Sequence, residues 1–104
     1  MRESVLYCAL IADLVAAEFA PEVVNALDKM RQPKKSEPLN TARLATMALC
    51  HKLSGLSVAE VGRVFNRSRG SVLNAIKATA DWGETNPAFK ARLEKVTRAA
   101  LRLL

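Results

Sequence analysis

A short segment in the second half of the chain concentrates side chains that suit contacts with a polyanion. Residues 67–71 are Arg-Ser-Arg-Gly-Ser, and their types predict the start of a helix that is capped by Ser68. A helix start presents free backbone N–H groups and the positive end of the helix dipole, so it attracts phosphate. Two guanidinium groups beside that end can also donate hydrogen bonds to the edges of bases. The 3.6-residue period places Gly70, Asn74 and Lys77 together on the outer face of this helix.

The other reactive side chains do not have the spacing of a catalytic site. Cys50 and His51 are adjacent, and on a helix their side chains point about 100° apart, so they cannot act as nucleophile and base. Cys8 and Cys50 lack the spacing of a metal site, and we expect two buried thiols. The sequence contains no carboxylate pair and no cluster of metal ligands. We therefore predict that the protein is not an enzyme, and that it uses no cofactor, metal ion or small-molecule substrate.

The helix that carries these polar residues is the second of two helices joined by a short turn. Ser57 and Glu60 have the spacing of a capping box, which predicts the start of the first helix, Val58–Phe65. Asn66 can adopt the left-handed conformation that ends this helix. The second helix is predicted from Arg69 to about Asp81. Two helices connected in this way form a helix-turn-helix, in which the second helix enters the major groove of DNA.

Further helices are predicted on both sides of this unit. They cover Ser4–Ala20, Glu22–Arg31, Leu39–Ser54 and the segment from Pro87 to near the C-terminus. The first of them is apolar around most of its circumference and must be buried, in its own domain or against another chain. Pro21 suits the first position of the next helix, whose inner face would include Val24 and Leu27. Asn40 or Thr41 would cap the helix that precedes the helix-turn-helix.

Length and periodicity indicate one all-α domain with about six helices. The 104 residues show no strand pattern and no internal repeat. We predict N-terminal helices in residues 1–31, a helix-turn-helix core in residues 39–81 and a C-terminal helix in residues 87–104. No segment reaches the ~20 apolar residues that a membrane span needs. We expect a cytoplasmic, nucleoid-associated protein that does not contact a membrane.

The basic residues are concentrated in the same part of the chain as the helix-turn-helix. The whole chain has 16 Lys+Arg and 10 Asp+Glu residues, which gives a formal net charge of +6. Residues 1–30 contain two basic and five acidic side chains, and residues 31–104 contain fourteen and five. The second part therefore carries a net charge of +9. Such an excess favours a polyanionic partner.

Several runs of residues around the predicted helix-turn-helix match a known pattern. They are Ala42-Arg43, Met47-Ala48-Leu49, Lys52-Leu53-Ser54, Leu56-Ser57-Val58-Ala59-Glu60-Val61-Gly62, Phe65, Arg67 and Val72-Leu73-Asn74-Ala75. In combination they make residues 39–81 resemble the C-terminal DNA-binding domain of the bacterial chromosomal replication initiator DnaA, in the Trp-repressor-like superfamily. The resemblance implies this fold, double-stranded DNA as the partner, and a role in replication or its regulation. In that family an arginine enters the minor groove, and Arg43 matches it.

The segment that makes most of the family's base contacts is different in this chain. The family has Gly-Gly-Arg-Asp-His-Thr-Thr, whereas residues 66–71 are Asn-Arg-Ser-Arg-Gly-Ser, one residue shorter, with Arg67 as the match. The resemblance thus predicts DNA binding but not the family's recognised sequence. None of the four glycines begins a phosphate loop ending in Gly-Lys-Ser/Thr. We therefore expect no ATPase domain in these residues, and no ATP-dependent opening of an origin by this chain alone.

Ten residues are predicted to contact DNA. Those nearest the bases in the major groove would be Arg67, Ser68, Arg69, Gly70, Ser71 and Asn74. Contacts to the DNA backbone would come from Lys52, Ser57 and Lys77, and Arg43 would lie in the neighbouring minor groove. The alternative is a protein-interaction module that keeps this scaffold but has lost specific DNA binding, with helix Ser4–Ala20 as a homodimer or partner surface. Replication control, transcriptional regulation and targeting of a mobile-element enzyme all remain open as the biological role.

Overall fold

Six helices account for most of the chain. The computed structural model describes residues 2–34 and 36–103. Its helices are α1 (Arg2–Phe19), α2 (Ala26–Met30), α3 (Leu39–Ser54), α4 (Val58–Phe65), α5 (Arg69–Thr85) and α6 (Pro87–Leu101). No strand occurs within the described ranges. The predicted all-α class and the number of helices are thus confirmed.

Helix α3 is the central element, because it packs against each of the other five helices. One cluster of buried apolar side chains surrounds it and includes Ile11 and Val15 of α1, Phe65 of α4 and Val72 of α5. Each such side chain stabilises the fold by about 1.5–3 kcal/mol on burial. Helices α4 and α5 therefore rest on α3, which determines how the helix-turn-helix is presented.

Helix α6 packs along both α1 and α5. The hydroxyl of Tyr7 donates a hydrogen bond of 2.6 Å to the carbonyl of Ala100. At the other end of this contact the guanidinium of Arg92 lies 4.4 Å from the centre of the Phe19 ring. Asn86 caps α6 by accepting a 3.1 Å hydrogen bond from the backbone N–H of Phe89. The predicted start of this last helix at Pro87 is confirmed.

The second helix is shorter than predicted. It begins at Ala26 instead of Glu22, because Asn25 has a φ of 53° and lies in the left-handed region, which no helix continues through. Residues 21–24 are not helical, and Val24, which was predicted to point inward, is 70% exposed. Ala26 and Met30 are the buried residues of α2. The proline signal at Pro21 was therefore misleading.

Two other helix ends also differ from the prediction. Helix α3 has Pro38 at its N-cap position. The carboxylate of Glu37 accepts hydrogen bonds from the backbone N–H (2.9 Å) and hydroxyl (2.7 Å) of Thr41. Neither Asn40 nor Thr41 is the cap. Helix α5 continues through Gly83 to Thr85, four residues beyond the predicted end. Trp82 packs edge-on against Phe89 at 5.5 Å, and this contact supports the extra turn.

None of the described helices combines the length and the apolar content that crossing a membrane requires.

Candidate nucleic-acid interface

The start of α4 is held by the predicted capping box. The backbone N–H of Glu60 donates to the hydroxyl of Ser57 at 3.1 Å, and the backbone N–H of Ser57 donates to the Glu60 carboxylate at 2.9 Å. The hydrogen bond from the Ser57 backbone N–H is the main cause that lowers the pKa of the Glu60 carboxyl, since it favours the charged form. Ser57 itself is exposed. Its hydroxyl and the first N–H groups of α4 lie at a helix end that suits a phosphate.

The turn between α4 and α5 packs very closely on α4. Asn66 ends α4 in the left-handed conformation, with φ 56°. The backbone N–H of Arg67 then donates to the carbonyl of Gly62 at 2.7 Å. A β-carbon at Gly62 would lie 2.5 Å from the Arg67 carbonyl oxygen, closer than two such atoms approach. The absence of a side chain at Gly62 therefore permits the tight turn.

Helix α5 has one buried and one exposed face, as the periodicity predicts. Ser68 caps it and accepts a 3.2 Å hydrogen bond from the backbone N–H of Ser71. The buried face consists of Val72, Ala75 and Thr79. The exposed residues include the predicted contacts Ser68, Arg69, Gly70, Asn74 and Lys77, whereas Ser71 is half-buried. The structure thus brings together six of the ten predicted residues along α5 and its cap.

Leu73 lies on the same exposed face but is not among the ten predicted contacts. Its side chain is 54% exposed. Residues 70, 73, 74 and 77 follow the i, i+3, i+4, i+7 spacing of one helix face. This spacing is a signal that could have identified Leu73, although the same leucine also belongs to the run of residues that resembles the family. An exposed apolar side chain among polar ones suits contact with a thymine methyl group.

The guanidinium of Arg67 lies apart from this face and is occupied by backbone carbonyls. Its Nη1 donates to the carbonyls of Arg31 (3.3 Å), Phe65 (3.2 Å) and Asn66 (3.1 Å). Its Nη2 donates to the carbonyl of Gln32. The side chain is half-buried between the helix-turn-helix and the loop that follows α2. The predicted base contact would require Arg67 to give up these bonds.

Arg43, which is predicted to enter the minor groove, has a buried side chain in this structure. Its side chain is 1% exposed. Its Nε donates to the carbonyl of Met30 at 2.7 Å and its Nη1 to the side-chain oxygen of Asn40 at 3.1 Å. Its Nη2 donates to the carbonyls of Gln32 and Lys34. The guanidinium therefore points into the protein, because the loop after α2 supplies the acceptors for its donors.

The charge of Arg43 is held in an unfavourable environment. Burial is the main cause that lowers the pKa of its guanidinium, and the neighbouring positive charge of Arg67 lowers it further, while the Glu37 carboxylate acts in the opposite direction. An arginine nevertheless stays protonated under all ordinary conditions. The carbonyls around it must therefore replace the hydration that burial removes.

The remaining predicted residues, Lys52 and Ser57, lie outside α5. Lys52 is exposed near the end of α3, where it lines a groove together with Ile76 of α5 and Glu94 of α6. It is thus beside the second half of α5. His51 is half-buried, and its Nδ1 lies 3.0 Å from the carbonyl of Leu56. Cys8 and Cys50 are both buried free thiols, as predicted.

Comparison with known proteins agrees with this architecture. Residues 8–78 match the family described as bacterial DnaA protein helix-turn-helix. The chromosomal replication initiator protein DnaA of Desulfotalea psychrophila is 30% identical over 88 residues, which cover 85% of this chain and 18% of that protein. The chain therefore spans less than a fifth of the length of this relative. The family match includes most of α1 as well as the helix-turn-helix, and covers well over half of the chain. The chain belongs to the bacterial DnaA helix-turn-helix family, a membership that implies DNA binding.

Proposed function

We propose that the protein binds double-stranded DNA by placing the exposed face of α5 in the major groove. The observation that carries this proposal is the exposed stripe of Gly70, Leu73, Asn74 and Lys77, which begins at a solvent-accessible helix end beside Arg69. A helix of this kind fits the width of the major groove. The net charge of +9 over residues 31–104 favours the approach of a polyanion.

Each side chain on this face has a chemically suitable target. Arg69 can donate two hydrogen bonds to guanine, and Asn74 can make a bidentate contact with adenine. A β-carbon at Gly70 would meet only the Ser68 hydroxyl, at 3.9 Å, so the protein's own packing does not require glycine there. The open space at Gly70 suits a close approach of the DNA. Ser68 and Ser71 would contribute hydroxyls at the same helix end.

Contacts to the phosphates would flank these base contacts. We assign them to Ser57 at the start of α4, to Lys77 on α5 and to Lys52 beside the second half of α5, all three of which are exposed. Such contacts orient the protein on the duplex without reading its sequence. The Desulfotalea relative is named a chromosomal replication initiator. We therefore place the function in replication or its regulation, with transcriptional control as the other role that the same DNA binding would serve.

A salt-dependent titration tests the proposal directly. Labelled random duplex DNA is titrated with the full chain at two salt concentrations. Binding that weakens steeply with added salt supports contact with several phosphates. The absence of binding at the lower salt concentration would rule the proposal out. Selection of bound duplexes from a random pool then identifies the preferred sequence.

Arg69→Ala is expected to weaken binding to the selected duplex by about 5- to 150-fold, since a guanidinium contact with guanine contributes about 1–3 kcal/mol. The loss should be larger for the selected duplex than for random DNA. Arg102→Ala is the matched control, because it removes the same charge from an exposed position beyond the end of α6. Fluorescence anisotropy gives both affinities. Equal losses in the two variants would assign Arg69 to general electrostatic attraction only.

Leu73→Ala is expected to leave stability within about 0.5 kcal/mol, because the side chain is mostly exposed. The substitution should instead remove a preference for thymine over uracil in DNA binding. The unsubstituted protein is expected to bind a duplex with uracil in place of the contacted thymine several-fold more weakly, and the variant should show no such difference. A similar response to uracil in both proteins would remove Leu73 from the interface.

The second candidate function is a homodimer or partner-binding module that uses α1. One observation favours it: Leu6 and Leu10 on the outer face of α1 are 60% and 47% exposed. Exposed leucines on one helix face are typical of interaction surfaces. Light scattering over a range of concentrations tests this candidate. A mass that stays at that of one chain excludes the homodimer.

A further inference from the structure

The loop between α2 and α3 is held by two arginines that approach it from different sides. Arg43 reaches it from within the protein and donates to the carbonyls of Met30, Gln32 and Lys34. Arg67 reaches it from the turn of the helix-turn-helix and donates to the carbonyls of Arg31 and Gln32. The Gln32 carbonyl accepts from both. Four of the five carbonyls from residue 30 to residue 34 are thus bound by a guanidinium.

Arg67 also binds the end of α4. It donates to the carbonyls of Phe65, the last residue of the helix, and of Asn66, its C-cap. A positive charge at this end is favourable because the helix dipole is negative there. One side chain therefore joins three parts of the molecule: the end of α4, the turn that leads into α5, and the loop after α2.

This arrangement is unlike that of an arginine that reads a base. A bidentate contact with guanine needs two donors that point into solvent. The Nη1 and Nη2 of Arg67 already donate to four carbonyls, whereas no hydrogen bond of the Arg69 guanidinium occurs within the described residues. The two arginines are two residues apart in sequence and have different surroundings.

We propose that Arg67 is a positioning residue, which acts on DNA binding through residues 31–34 and not by contact with a base. It holds this loop, which carries the exposed side chains of Arg31 and Lys34, against the turn of the helix-turn-helix. The proposal rests on the proposed function, because it assigns a role within the same interface. The contacts with bases are then made by residues of α5 and its cap.

The first measurement uses the DNA-free protein. The backbone N–H groups of Arg31 and Gln32 donate to the carbonyls of Leu27 (3.0 Å) and Lys29 (3.2 Å), so their hydrogen exchange reports whether the loop is held. Arg67→Ala should raise their exchange rates about tenfold or more. Arg67→Lys should do the same, because one ammonium group cannot donate to carbonyls in four directions. Arg102→Ala, at an exposed position beyond the end of α6, is the control and should leave the rates unchanged.

The second measurement is a double-mutant cycle on DNA affinity. Arg31→Ala should weaken binding several-fold in the unsubstituted protein, and by less than twofold when Arg67 is already alanine, because the loop is then no longer held in place. Arg67→Ala alone should weaken binding to all duplexes by a similar factor, without changing the preferred sequence. Substitution of Arg31 leaves its backbone carbonyl in place, so the cycle measures the side chain only.

The outcomes separate this proposal from the proposed function. If the unsubstituted protein binds no duplex at low salt, the proposed function fails and Arg67 has no DNA contact to position. If the protein binds but Arg67→Ala changes the preference at one base pair, Arg67 reads a base and only this proposal fails. Additive losses in the cycle would overturn it, as would loop exchange that is unchanged in both Arg67 variants. Arg67→Lys keeps the charge, so it provides the test even if the alanine variant folds poorly.

Discussion

Arg43→Ala is expected to destabilise the protein by about 3 kcal/mol or more. The substitution removes the donors that serve the carbonyls of Met30, Gln32 and Lys34, and it empties a site that is 1% exposed. A buried carbonyl without a partner costs about 1–3 kcal/mol, although water and loop movement restore part of this. The loss of a buried charge acts in the opposite direction, since its desolvation no longer opposes folding. Urea unfolding followed by circular dichroism gives the change in the free energy of unfolding.

Two further variants make this result specific. Arg43→Lys should lie between the alanine variant and the unsubstituted protein, because an ammonium group keeps the charge but reaches fewer of the acceptors. Arg102→Ala, at an exposed position, should change stability by less than about 0.5 kcal/mol. If Arg43→Ala were as stable as Arg102→Ala but bound DNA much more weakly, the side chain would belong in the minor groove and the buried position would be contradicted.

Gly62→Ala is expected to lower stability by about 1–3 kcal/mol and to weaken DNA binding by tenfold or more. The new β-carbon would meet the Arg67 carbonyl oxygen at 2.5 Å, and this oxygen belongs to the backbone of the turn. The turn must move, which breaks the 2.7 Å bond from the Arg67 N–H to the Gly62 carbonyl and reorients α5. Since α5 carries the proposed base contacts, the change reaches the interface. Thermal unfolding and DNA titration of the same sample measure both effects.

The sign of the stability change in Gly62→Ala is informative, because alanine is more favourable than glycine within a helix by about 1 kcal/mol. Gly83→Ala is therefore the matched control. Gly83 also lies within a helix, and a β-carbon there would meet nothing within 4 Å. This variant should be as stable as the unsubstituted protein or up to about 1 kcal/mol more stable. Equal stabilisation in both variants would show that the turn does not pack against Gly62.

Local signals in the sequence were sufficient to predict the bounds of α3 and α4 and the cap of α5. The boundaries of α3 and α4, Leu39–Ser54 and Val58–Phe65, agree with the prediction. The capping box of Ser57 and Glu60 and the cap of α5 by Ser68 are also present. Caps and amphipathic faces depend on residues within four positions of one another, so a single sequence displays them.

Signals of the same kind were less reliable where packing against other parts of the fold sets the end of a helix. Pro21 suits a helix start, but the chain makes a left-handed turn at Asn25 and only Ala26–Met30 is helical. Gly83 suits a helix end, but the contact between Trp82 and Phe89 lies across the junction with α6, and the helix continues. Packing contributes more free energy than the preference of one residue, which is at most about 1 kcal/mol for glycine.

The sequence by itself determined the all-α class, the helix-turn-helix and the exposed face of α5, since each follows from residue types at short spacing. Only the tertiary structure decided the positions of the arginines. Arg43 and Arg67 differ from Arg69 because they face the carbonyls of residues 30–34, which lie up to 36 positions away along the chain. Every residue has a carbonyl, so no residue type marks these acceptors in a sequence. The fold brings the loop to the two arginines, and thereby assigns them to holding it in place.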